Sequence, residues 1–169
     1  MDSVSVSGGI YLLLVRVPRH RVIEIGAMGQ RLFHRGYYGY IGAARRGLRA
    51  RLDRHRSALK KLHWHIDYLL QYGEIEAIVY SICSRDGECL LANQLSNFLP
   101  YVPGFGSSDC RCASHLFFSP RRKILARVGC ESFRSIGLIP RLYWKKPSID
   151  ALKRAWMGWS ARMVKNAEN

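Results

Sequence analysis

Apolar and polar positions divide this chain into short elements of two periods. Gly9 to Val17 (GIYLLLVRV) is nearly continuous in apolar residues and is bounded by glycine and Pro18, which predicts a buried strand. Arg21 to Phe33 carries apolar runs on either side of Gly26 and Gly29, the pattern of a hairpin. Tyr37 to Gly42 reads as the next strand and ends in a glycine turn. From Gly47 to Leu62 the period lengthens. Leu48, Leu52, His55, Leu59 and Leu62 recur every three or four residues and form one helical stripe. Arg51 lies at the edge of that stripe, and Asp53, Arg54, Ser57 and Lys61 fall on the solvent side. A short helix over Ile66–Gln71 and a β-branched strand over Glu74–Cys83 follow. Asp86 reads as the N-cap of a helix from Gly87 to Leu99, with Glu88 on the same face as Leu91, Ala92, Leu95 and Leu99. After a Gly/Ser/Pro-rich loop, Ser114–Ser119 predicts a strand, and Lys123–Val128 a hairpin partner for it. Residues 129–147 look irregular, and Ile149–Met163 predicts a basic helix with Leu152, Trp156 and Trp159 on one side.

This alternation of strands and helices predicts an α/β (α+β) chain. At 169 residues it fits a domain over 1–128, with an inserted hairpin near 18–36. A basic C-terminal extension over 129–169 is expected to pack on the same domain. No apolar run reaches the length of a membrane span, since the longest near the N-terminus stops at Arg16. An odd count of five cysteines without a secretory leader suggests thiols or a metal site in a reducing, cytoplasmic setting.

Charge narrows the partner. The net charge is +15, and arginine outnumbers lysine 20 to 7. Guanidinium forks grip phosphate bidentately and stack on bases, so nucleic acid is the expected partner. Eight of these cations fall between Arg45 and Lys61 against one acid. Arg45, Arg46, Arg49, Lys60 and Lys61 are candidate phosphate contacts, with His63 and His65 just beyond. Twelve more, against three acids, lie from Arg121 onward, interleaved with Phe133, Tyr143, Trp144, Trp156 and Trp159. Some of these rings are candidates for base stacking and others for packing on the domain.

The chemistry gathers around two short words, Gly9-Ile10-Tyr11 and Tyr40-Ile41-Gly42. They are followed by Leu48-x-x-Arg51-x-x-x-His55 on a helix and by Glu88 near the start of a later one. A free phenol titrates near ~10 and is a weak base at neutral pH, but a neighbouring cation favours phenolate. Arg51 suits charge developing on phosphorus. His55 on its apolar stripe reads equally as a core residue and as a site residue one turn from Arg51. Glu88 on a buried helix face calls for a partner, and a hard divalent cation supplies one.

This set resembles the GIY-YIG endonuclease superfamily, over roughly Gly9 to Leu99. It lies nearest a mostly stand-alone Uri-type subgroup, whose pattern extends through His63-Trp64-His65-Ile66-Asp67-Tyr68 and Gly104-Phe105-Gly106-Ser107-Ser108-Asp109-Cys110-x-Cys112-x-x-His115. The resemblance implies a small mixed or antiparallel sheet flanked by helices. It also implies Mg²⁺- or Mn²⁺-dependent cleavage of phosphodiesters, with DNA the favoured substrate and RNA the alternative. Tyr11, Tyr40, Arg51 and His55 would be catalytic and Glu88 the metal carboxylate. The gap between the two words is longer than usual, and the spacing to the helix leaves Arg49 as an alternative to Arg51. No asparagine follows the glutamate at the usual place; Ser107, Ser108 or Asp109 are candidates to fill it. Cys110, Cys112 and His115 offer soft ligands of the kind Zn²⁺ uses, and Asp109 is a candidate second carboxylate. The same residues could instead buttress the nuclease site through hydrogen bonds.

Overall fold

The structure, a computed structural model, describes residues 8–83 and 87–144. Seven strands and four helices lie within them: β1 (Gly9–Val17), β2 (Arg21–Glu24), β3 (Gln30–Phe33), β4 (Gly36–Ala44), α1 (Leu48–Arg56), α2 (His65–Leu69), β5 (Glu74–Ile82), α3 (Glu88–Ser96), β6 (Leu116–Ser119), α4 (Arg122–Ser135) and β7 (Arg141–Trp144). Five strands form one sheet in the order β6-β4-β1-β5-β7, and every pairing in it is antiparallel. The pair β2-β3 stands apart as the inserted hairpin.

β1 lies at the centre of the sheet, which explains its nearly unbroken apolar run: both of its faces are covered. Tyr11, Leu13, Val15 and Val17 pack with the hairpin, α1 and α2 through Ile23, Phe33, Leu48, Ile66 and Leu69. Ile10, Leu12 and Leu14 face the other way, onto Leu91 and Leu95 of α3 and Leu125 and Phe133 of α4. Period-2 alternation thus sorts the two apolar words. Their isoleucines, Ile10 and Ile41, enter the α3/α4 layer, and their tyrosines, Tyr11 and Tyr40, enter the α1/α2 layer. The register sets Tyr11 opposite Gly42 and Leu13 opposite Tyr40, so the two phenols are diagonal neighbours on one face.

Three expectations are corrected. Lys123–Val128 is no strand: it lies in α4, and β6 pairs with β4 instead. The buried positions Leu125, Ala126, Gly129, Ser132 and Phe133 keep helical spacing. Three of them are small, which hides the stripe from a count of large apolar residues. A Cβ on Gly129 would strike Leu12, so its absence brings α4 close to β1. Residues 129–147, expected to be irregular, instead hold the second half of α4 and a fifth strand of the sheet over 141–144. α1 stops at Arg56, six residues early, and leaves Leu59 95% exposed, outside the stripe. The Lys60 ammonium binds the Arg54 and His55 carbonyls at this end, a cation where the helix dipole favours one. The Asp86 cap and the 149–163 helix lie outside the described residues. Among the described residues no helix is long and apolar enough to cross a membrane.

Candidate active site

The site forms where β1, β4 and α1 meet the loop before β6. The Tyr11 hydroxyl lies 2.7 Å from His55 Nε2, and both residues are buried. The Tyr40 ring meets His55 at 6.2 Å between centroids, nearly perpendicular. His55 therefore directs its hydrogen bond to Tyr11 and shows Tyr40 only its ring. Arg51, one turn before His55, lies near enough for its charge to act on Tyr11 and stacks its guanidinium 4.4 Å from the Trp64 ring centre. That contact holds a long side chain over a flat, rigid surface.

Burial pushes the Tyr11 phenol well above its usual range; Tyr40 and Glu88 add to the rise and Arg51 opposes it. Tyr40 is likewise raised, by burial first, then by the Glu88 and Asp67 charges, against Arg51. Burial pulls His55 down to about 4, helped by the Lys60 charge. Its imidazole is therefore neutral at pH 7 and can accept a proton or hydrogen bond on Nε2. Its Nδ1 is buried with no hydrogen-bond partner.

Glu88 opens α3 with a partly exposed carboxylate, and its Oε1 lies 3.2 Å from His115 Nδ1. The contact has ion-pair distance but not the alignment of a full hydrogen bond, so Nδ1 counts as unsatisfied. His115 is joined to the site through the backbone, since its carbonyl accepts the Ile41 N–H at 2.9 Å. Gly106 sits between them with φ +72°, where a Cβ would press on both Tyr40 and His115. That position combines left-handed backbone with close approach, which glycine alone meets easily.

A second polar cluster supports α1. Asp67 is fully buried and receives both Arg54 guanidinium nitrogens, at 3.1 and 3.0 Å. It also accepts the His63 and Trp64 N–H groups, each at 3.0 Å, and so caps α2. Lys60 Nζ lies 3.6 Å from the same carboxylate. Burial alone would raise the Asp67 carboxyl, but these donors outweigh it and hold the pKa below the usual range. Arg54, expected on the solvent face, is therefore a structural residue, and its guanidinium also covers Trp64 at 4.0 Å.

The candidate nucleic-acid contacts divide. Arg45, Arg46, Arg49 and Lys61 are exposed around α1, with Arg49 in a loose exposed pair with Asp53 at 3.8 Å. His63 is exposed and stacks edge-on against Trp64. Lys60, by contrast, is an internal clamp on Asp67 and the end of α1. His65 Nδ1 accepts the Gly106 N–H at 3.0 Å and anchors the loop. Both candidates are thus engaged inside the domain. Phe133 belongs to the core, while Tyr143 and Trp144 are exposed on β7.

Cys110, Cys112 and His115 come together as expected, but with Cys89 of α3 as fourth member and without Asp109. Sequence signalled Cys89 only through its adjacency to Glu88, because its partners lie more than twenty residues away. Asp109 is exposed and reaches the site only through its charge, which raises Tyr40. A pocket of about 760 Å³ opens behind His55, lined by Lys60, Asp67 and Ile78 among others. Tyr11, Tyr40, Arg51 and Glu88 are not among its walls.

The fold and this arrangement define a small α+β domain with a polar site at one end of an antiparallel sheet. Residues 10–138 match the family model described as a domain of unknown function, DUF123, and the chain belongs to that family. Neither the comparison with curated proteins nor that with solved structures finds a match.

Proposed function

We propose that the protein is a metal-dependent endonuclease that hydrolyses phosphodiester bonds, with DNA its favoured substrate. The observation that carries this reading is the arrangement of Tyr11, Tyr40, Arg51 and His55 on one face of the sheet, within electrostatic reach of Glu88. The likeness to the GIY-YIG superfamily supports the same reading.

Mg²⁺ or Mn²⁺ fits the donor set at Glu88: one accessible carboxylate, with waters and substrate phosphate completing the shell. When bound, such an ion polarises the phosphate and stabilises the leaving oxygen. Arg51, held on Trp64, stabilises charge on the phosphate oxygens. Tyr40 takes a proton from the attacking water. The Arg51 charge lowers its phenol, and a cation held by Glu88 would offset the carboxylate charge that raises it. Tyr11 orients the water or the phosphate, and neutral His55 fixes the Tyr11 hydroxyl and shuttles its proton.

Labelled single-stranded, duplex, nicked and branched DNA and RNA, incubated with Mg²⁺ or Mn²⁺, test the proposal. Cleavage by the wild type that is lost in Glu88→Ala and Tyr40→Phe is the expected result. Salt-sensitive binding with no cutting on any substrate would replace it with a non-catalytic nucleic-acid-binding module.

A further inference from the structure

The loop from Asn97 to His115 joins α3 to β6 without regular structure of its own. Connections of this length inside a compact domain need something to hold them. Part of the hold is apolar, because Phe105 is fully buried and packs on Tyr40 and His65. The distal half, residues 107–113, has no comparable apolar anchor. It has sulfur instead.

One ligand atom each from Cys89, Cys110, Cys112 and His115 lies within 4.8 Å of all the others. A tetrahedral site with ~2.3 Å Zn–S bonds has edges of about 3.7 Å, so small side-chain movements close the set. Cys110 Sγ is already 3.5 Å from His115 Nε2. None of the five cysteines is in a disulfide, and Cys83 and Cys130 stand outside the cluster. Three sulfurs and one imidazole make a closed set of four ligands, as in structural zinc sites, and such soft donors select Zn²⁺ over Mg²⁺.

The two nitrogens of His115 face different partners. Nε2 points into the sulfur cluster and Nδ1 toward Glu88, in a side chain that is 3% exposed. Metal-bound histidines characteristically donate their other N–H to a carboxylate, which fixes tautomer and ring orientation. We propose that Cys89, Cys110, Cys112 and His115 hold a structural Zn²⁺, and that His115 positions Glu88 through its outward nitrogen. Zinc replaces the three thiol protons, which leave to solvent, and leaves Nδ1 as the protonated nitrogen, a donor to Glu88 Oε1. The metal then pins the loop to α3 and steers the carboxylate of the active site. The zinc assignment stands on its own geometry; the role of His115 rests on the reading of Glu88 as a hard-metal ligand.

The test uses the full chain, purified reduced. Zinc content by elemental mass spectrometry should be about one per chain. Co²⁺ added to the stripped protein should give saturable thiolate-to-metal charge transfer and tetrahedral ligand-field bands. Cys83→Ser and Cys130→Ser should keep the metal, and Cys112→Ser should lose the charge-transfer intensity of one thiolate. Because Cys112→Ser can fail to fold, the wild-type measurement decides. Absence of saturable cobalt–thiolate absorption, or a disulfide mapped among Cys89, Cys110 and Cys112, overturns the zinc site. His115→Cys preserves a four-ligand zinc site and removes the donor to Glu88. Its Mn²⁺ affinity, read by electron paramagnetic resonance with zinc in place, should fall ~10–100-fold, and Glu88→Gln should lose Mn²⁺ while keeping zinc. Unchanged Mn²⁺ affinity in His115→Cys, or no Mn²⁺ binding by the wild type, overturns the positioning role. Neither readout depends on cutting, so an inactive protein with one zinc would sink the nuclease reading alone.

Discussion

At His55 the folded chain holds an imidazole neutral where the unfolded chain would protonate it. Burial, then Lys60, lowers the pKa from 6.5 to about 4. The unfolded state therefore binds more protons across that interval, and stability falls as pH drops from 6.5 toward 4. The full loss amounts to roughly 3 kcal/mol. Urea midpoints measured at pH 7 and pH 4.5 should show a loss for the wild type that shrinks in His55→Gln; equal losses would refute the buried-neutral reading. Tyr40 is perturbed in the opposite sense, with burial raising its phenol. Its basic form is scarce at neutral pH, so metal-saturated cleavage should climb with pH, about tenfold per unit, until the Tyr40 phenol of the metal-loaded protein titrates. A rate flat from neutral to mildly alkaline pH would remove Tyr40 as the base. Single residues were legible in sequence to the extent that local spacing fixes their direction. Arg51 and His55, one turn apart, follow from helical geometry. Arg54 does not, because Asp67 arrives from α2 to claim it.

Pairing of β1 with β4 turns two local words into one surface. Tyr11 stands opposite Gly42, and its ring crosses the space a side chain there would fill. A Cβ at Gly42 collides with the Tyr11 hydroxyl and ring carbons, and one at Gly9 with the Ser81 carbonyl and Leu48. Both glycines thus serve close packing at ordinary backbone angles. Gly42→Ala should displace the Tyr11 hydroxyl from His55, cost ~1–3 kcal/mol of stability, and reduce cleavage more than a distant substitution of equal cost. A crystal structure of the variant with the 2.7 Å Tyr11–His55 bond intact would contradict this. The α1–α2 corner yields a second prediction. Asp67 lies at 0% exposure between Arg54 and Lys60, so Asp67→Ala leaves two cations without their acceptor and uncaps α2. A loss of about 3–5 kcal/mol is expected, read by denaturant unfolding. Elements with a strong single period, β1, β4 and β5, were legible almost to the residue. α4 was not, because Ala126, Gly129 and Ser132 fill its buried face with residues a hydrophobic pattern passes over. The Cys89 partnership was likewise hidden, since only the packing of α3 beside the 97–115 loop creates it.

Over the whole molecule the question is how much of the +15 charge faces a partner. Sequence locates the cations but not their occupations, and the structure separates two groups within residues 45–61. Arg54 and Lys60 are held by Asp67 and by helix-end carbonyls. Arg46, Arg49 and Lys61 stand exposed beside the site. Each exposed cation that meets a phosphate releases counterions on binding, so the logarithm of affinity falls linearly with the logarithm of salt concentration. Arg46→Gln and Lys61→Gln should each lower that slope by about 1, with little change in stability. Lys60→Gln should behave in the reverse way: an unchanged slope, and stability lowered by roughly 1–3 kcal/mol as the buried carboxylate loses a neighbouring cation and the end of α1 its donor. Fluorescence anisotropy with a short labelled duplex across a salt series, paired with urea unfolding of each variant, separates the two classes. A Lys60→Gln protein as stable as wild type but with a shallower slope would return Lys60 to the phosphate surface. It would also leave Arg54 as the only side chain among the described residues balancing the Asp67 charge, and Arg54→Gln would then have to unfold the α1–α2 corner by itself.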